Sequence, residues 1–166
     1  SKMNSNLQKI QEIIIKRGNE LLNQYKLDIV RFTDNIEVDK LLSNTPHAFV
    51  LACVMDRQIN AERAWQIPYK ISNEIGGFEF NRLLKLNLDQ IIDLFKKNSL
   101  HRFNDIMANN FYDAIQLIHN KYNDDASNIW KDNPKSATVV RRFLEFKGVG
   151  IKIATMATNI LARDFK

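Results

Sequence analysis

Lys152, two residues beyond a Gly-Val-Gly turn, is the residue of this chain whose type and spacing point most directly to chemistry. It lies in the stretch Phe143-Leu-Glu-Phe-Lys-Gly-Val-Gly-Ile-Lys-Ile-Ala-Thr-Met-Ala157, where an apolar helical pattern breaks and restarts. The chain has five glycines, and Gly148 and Gly150 fall in this one turn. Glycine permits positive φ and lets another backbone come close. The free N–H groups of the helix that follows carry the positive end of its dipole, which suits a phosphate. An amine in the first turn of that helix is a candidate nucleophile. Two plainer roles for Lys152 stay open: an exposed side chain, or a contact to phosphate. The turn itself could simply join two packed helices.

A second segment, Val54-Met-Asp-Arg-Gln-Ile-Asn-Ala-Glu-Arg-Ala-Trp65, joins one helix to the next. Arg57 in it can bind phosphate or pair with Asp56, and Gln58 can be a functional residue or an ordinary helix-start residue. Trp65 and Trp130 read as core residues rather than stacking platforms. His47, His101 and His119 have no spacing that would make a metal site or a catalytic triad.

The charge supports a polyanionic partner. The net charge is +5, and all of it lies between Lys135 and Lys166, where seven basic residues face two acidic ones. The rest of the chain is neutral. A phosphate-binding surface concentrates charge in this way, although a short basic stretch can also be a solvated face.

Phe146-Lys-Gly-Val-Gly-Ile-Lys-Ile-Ala154 resembles the hairpin of the helix-hairpin-helix DNA glycosylases, the superfamily of endonuclease III and 8-oxoguanine DNA glycosylase. Gly148, Val149, Gly150 and Lys152 match its Gly-apolar-Gly and lysine positions. Lys147 stands where that family usually has proline, and Ile153 where a small polar residue is common. Gln58 matches the glutamine that fills the gap in the duplex after a nucleotide is flipped out. The resemblance runs from about Thr45 to Phe165. It implies a base-excision-repair glycosylase with AP-lyase activity, acting on a flipped damaged base through a Schiff base on Lys152. It also implies double-stranded DNA as partner, with Arg57, Gln58 and residues 147–150 at the interface. The alternatives are a non-catalytic module that grips phosphates with its hairpin, and a helical scaffold for protein partners.

The family's catalytic aspartate lies beyond the second hairpin helix and an extended loop. Fourteen residues follow Lys152 here, and Asp164 comes too early for that role. The expectation is therefore a glycosylase domain lacking its C-terminal part, able to bind DNA but with little excision. Cys53 is the only cysteine, so no cofactor is expected in these residues. An iron–sulfur cluster would need cysteines from a further segment.

The elements that must position these residues read as helical throughout, in one all-α domain over 1–166 with the hairpin at 136–163. Leu7, Ile10, Ile14, Leu21, Leu22 and Tyr25 recur at helical spacing, with Gly18 a weak spot. Thr45-Pro46 opens a helix running toward Met55. Another runs from about Asn60 to Gly76-Gly77, with a kink or break expected at Pro68. Asn87 to Gln90 reads as a capping box. Phe103, Ile106, Met107, Phe111, Ala114, Ile115 and Ile118 predict a long buried helix from Leu100 to about Tyr122. Ser136 is the expected cap of a helix reaching Phe146, and Ile151 to about Arg163 is the last helix. Neither a membrane span nor a signal peptide is legible, so an intracellular protein is expected, cytoplasmic and nucleoid-associated if prokaryotic. Ser1-Lys2 ahead of Met3 is given no structural weight.

Overall fold

The computed structural model describes residues 5–14 and 29–165. Gly18, Leu21, Leu22, Tyr25 and Lys166 lie outside the described residues. Residues 5–14 are helical, here α1, and expose Leu7, Ile10 and Ile14. Among the described residues the structure is helical and contains no strand. No described helix is long and apolar enough to cross a membrane.

The architecture is organised around α3 (Pro46–Met55), in which every side chain from Ala48 to Met55 is buried. A helix apolar on all sides must be surrounded. Around it pack α2 (Ile36–Asn44), α4 (Ala61–Ile75) and α7 (Asn104–Tyr122). Thr45 precedes α3 with Pro46 in its first turn, as the dipeptide predicts. The helix α2 is less legible in sequence. It is capped by Asn35, whose side chain accepts from the N–H groups of Glu37 and Val38. Buried Asp39 ties the incoming chain to it, accepting from Phe32 N, Thr33 N and Thr33 Oγ1 at 3.2, 3.0 and 3.0 Å.

Of the kink or break expected at Pro68, the break does not occur. The helix runs uninterrupted from Ala61 to Ile75 and ends in Gly76 at φ 83°. Pro68 is buried beside Ala64, Trp65, Ile67 and Ile71. Burying that face against α2 and α3 outweighs the loss of one backbone hydrogen bond.

After the short α5 (Phe80–Leu84), α6 (Leu88–Lys97) starts with the expected capping box. Asn87 Oδ1 accepts from Gln90 N at 2.8 Å, and Gln90 Oε1 accepts from Asn87 N at 2.9 Å. α6 packs along α7. The long helix starts at Asn104, and Ile106, expected inside, is 59% exposed. The helical period turns Met107, Phe111, Ala114, Ile115 and Ile118 inward instead, and with them the polar Asn110. Asn123 and Asp124, at φ 54° and 63°, end it. A 3₁₀ turn, Ala126–Ile129, leads to α8 (Ser136–Leu144) and α9 (Ile151–Asp164), which pack on each other. Lys135, not Ser136, is the residue preceding α8, and Ser136 is its first helical residue. Phe146 lies past the end of α8, buried and stacked parallel to Tyr122 at 6.5 Å.

Two histidines brace this arrangement in neutral form. His101 is buried. Its Nδ1 accepts from Phe103 N at 3.0 Å, so its Nε2 carries the hydrogen donated to Met55 O, also at 3.0 Å. His47 donates to Phe78 O at 2.5 Å. Burial pushes both rings below their ordinary 6.5. The unfolded chain therefore binds protons more readily than the folded one. Stability is complete above 6.5 and falls as pH drops through that value toward the lower folded pKa values. The midpoint of thermal unfolding is expected to decline between about pH 7.5 and pH 6, and to decline less in His101→Gln. An identical decline in that variant would show that His101 carries none of the effect.

Candidate functional site

The connection from α3 to α4 and the turn from α8 to α9, far apart in sequence, meet at one open cleft of about 850 Å³. One wall is Asp56, Arg57, Gln58, Ile59 and Ala61; the other is Gly148, Val149, Gly150, Lys152, Ile153 and Met156. Each wall starts where a helix ends. α3 stops at Asp56, and Asn60 restarts the chain by accepting from Glu62 N at 2.8 Å. His101 holds Met55 O, the last carbonyl before this loop, so the root of the first wall is fixed in the core.

Gln58 is exposed at the tip of that loop with φ 54°. A left-handed backbone costs a residue with a Cβ on the order of 1 kcal/mol. Its exposed side chain lines the cleft from a backbone conformation that carries this cost. Gln58→Gly is expected to stabilise the fold by up to about 1 kcal/mol, and Gln58→Ala to leave it nearly unchanged. Both should reduce extrusion of a fluorescent base analogue from a duplex more than they reduce duplex affinity. An unchanged signal from folded Gln58→Ala would leave Gln58 an ordinary loop residue.

Two glycines that look alike in sequence do different work in the second wall. Gly148 has φ 88°, and a Cβ there would sit 2.6 Å from Nδ2 of buried Asn110 and 3.5 Å from Nη1 of Arg57. It is glycine because α7 passes underneath and Arg57 lies over it. Gly150 has φ −94° and ψ 176°, ordinary extended backbone, and a Cβ there would meet nothing within 4 Å. It is the residue before α9 and offers no side chain to the helix's first N–H groups. Between them Val149 turns into the core and donates its N–H to Phe146 O at 3.1 Å, anchoring the turn.

Lys152 is exposed in the first turn of α9 and opens onto the cleft. Asp56 faces it within electrostatic range. Burial pushes the Asp56 carboxyl above its ordinary 3.8, and the Lys152 charge partly opposes this. Among the described residues Asp56 makes no ion pair with Arg57, whose guanidinium lies over Gly148 instead. Lys147 does not line the cleft. It pairs with Asp113 at 3.6 Å on the surface, where such a pair is worth about 1 kcal/mol or less.

Asp56 and Asn110 were not legible as site residues in sequence. The one available signal was Asp56 directly after an unbroken apolar helix, a place where a carboxylate is half-buried. Trp65 is buried and stacks on Phe49, and half-buried Trp130 meets Phe49 edge-on, both away from the cleft. Cys53 lies inside α3, and burial pushes its thiol up. Among the described residues no three His, Cys, Asp or Glu side chains are grouped so as to hold a metal ion. Comparison with protein-family models, with curated proteins and with solved structures gives no match for this chain.

Proposed function

We propose that this protein is a helix-hairpin-helix DNA glycosylase with AP-lyase activity, in which α8, the turn and α9 form the hairpin. The observation that carries this is the convergence of Gln58 and Lys152, from distant parts of the chain, on one cleft beside an open glycine edge. A base inside a duplex is unreachable, so the enzyme must extrude it and fill the hole. An exposed Gln58 at the cleft suits the filling, and a cleft of this size suits a flipped nucleotide. Duplex phosphates would lie along Gly150 and the first N–H groups of α9, with Arg57 nearby. The Lys152 amine would attack C1′ and displace the base, and the resulting imine would permit β-elimination.

The experiment is borohydride trapping with duplexes that carry an abasic site or an oxidised base. Only a route through an imine gives a reducible protein–DNA adduct. An adduct that depends on Lys152 is expected on the abasic-site duplex, where no base has to leave, and little of it on the duplex with an oxidised base. Salt-sensitive duplex binding without any adduct would instead make this a non-catalytic module, and absence of both would return it to a helical scaffold.

A further inference from the structure

A helix apolar along one side must bury that side, and α1 does not. Leu7, Ile10, Ile13 and Ile14 are all exposed. At about 100° per residue they fall within about 120° of the helix circumference, with Gln8, Lys9 and Glu12 outside that arc. A groove of about 530 Å³ lies between the start of α8 and the last turns of α9. Trp130, Pro134, Val139, Leu161, Ala162 and Phe165 give it an apolar lining, and among the described residues no charged side chain lines it. Leu161 is nine residues along α9 from Lys152, about 14 Å at the helical rise, so this groove is separate from the cleft described above.

The chain returns from its N-terminal segment beside this groove. Val30 N donates to Ser43 Oγ at 2.8 Å, and the Phe32 ring packs on Trp65 and Phe49 at 4.8 and 6.0 Å. Phe49 also meets Phe165 at 5.3 Å and Trp130 at 6.4 Å, and both of these line the groove. One aromatic cluster therefore holds both the groove and the point where the N-terminal segment attaches. Residues 15–28 separate α1 from that point, and a stretch of that length spans up to about 50 Å, against a diameter of roughly 40 Å for a domain of this size. A groove of about 560 Å³ on α6 offers Ile75, Leu86 and Leu94, but Asp93, Lys96 and Lys97 line it too. An isoleucine face pressed there would take those charges out of water. A second copy of the chain is a poorer occupant, because four aliphatic side chains bury roughly 500 Å² at most, short of the ~800 Å² per partner of a stable interface. A tethered helix avoids most of the cost of association.

We propose that the groove between α8 and α9 is the docking site of α1 from the same chain, which lays Leu7, Ile10 and Ile14 against Trp130, Leu161 and Phe165. The docked helix covers the open end of the aromatic cluster and clamps the last turns of α9. This role is independent of the function assigned to Lys152, whose cleft shares no lining residue with the groove.

The test pairs cysteines across the contact in the full chain, where buried Cys53 stays out of the reaction. Ile10→Cys with Ala162→Cys is expected to form an intrachain cross-link with a short bismaleimide. It should form at least about tenfold faster than for Ile10→Cys with Asp93→Cys, which reaches across the groove on α6. A second variant combines Leu7→Asp, Ile10→Asp and Ile14→Asp, residues that lie outside the core, so its fold is kept. It should shift Trp130 emission to the red and open that ring to iodide quenching, since Trp65 is buried and does not line the groove. Its melting midpoint should fall by about 4 °C or more, at every protein concentration. Equal cross-linking of the two cysteine pairs, cross-links only between chains, or a triple variant with the parent's Trp130 emission and melting midpoint would each overturn the proposal.

Discussion

Lys152→Gln is expected to abolish the borohydride-trapped adduct while duplex affinity changes only slightly. Glutamine keeps the length and polarity of the side chain but has no nucleophilic amine, so no imine can form. Lys152 is exposed and in the first turn of α9, and its loss opens no cavity. The unfolding free energy should therefore stay within about 0.5 kcal/mol of the parent's. Removing one cation from a phosphate-binding surface should lower the slope of log affinity against log salt by about one at most. The parent's affinity should itself fall steeply with salt. Adduct retained in a folded Lys152→Gln protein would mean that another amine is the nucleophile. Adduct lost together with all salt-sensitive binding would mean that Lys152 is a phosphate anchor.

The second large effect separates the two glycines of the turn. Gly148→Ala is expected to cost about 2–3 kcal/mol, because it strains a positive φ and drives a Cβ toward buried Asn110. At about 2–4 °C per kcal/mol for a chain of this size, the melting midpoint should drop by roughly 4–12 °C. Gly150→Ala should do nothing of the kind, since its backbone is ordinary and the space beside it is open. What it should lose is duplex binding, by about 10- to 100-fold, whatever the base sequence. A Cβ there blocks the approach of a phosphate to N–H groups whose charged hydrogen bonds are worth about 1.5–3 kcal/mol. A folded Gly150→Ala protein that binds as well as the parent would show that no backbone comes close at this edge.

The glycine pair also marks a limit of local sequence. Gly-Val-Gly identifies a turn between two helices, but which glycine serves the fold depends on Asn110, a residue of a different helix. Pro68 is similar. A proline in a helical pattern predicts a kink or break from local chemistry alone, yet α4 continues through it with one face buried. Ile106 fails the other way: apolar in type, it is turned outward by the period of its helix, while polar Asn110 goes in.

Helix starts at Thr45-Pro46 and Asn87, the turn at residues 147–150 and the clustering of charge after Lys135 are all legible in the sequence. Each depends on residues a few positions apart, where capping, φ preference and charge act without help from the rest of the chain. Gln58 and Lys152 were legible one at a time as candidates. Their meeting in one cleft, the release of Arg57 from Asp56 and the facing of Asp56 toward Lys152 were decided by tertiary structure. The packing of α4 and α7 on the buried helix α3, and of α9 on α8, sets where those side chains end. Distance between residues remote in sequence is a property of how helix faces are buried against one another, and a hydrophobic pattern states which faces are buried without stating against what.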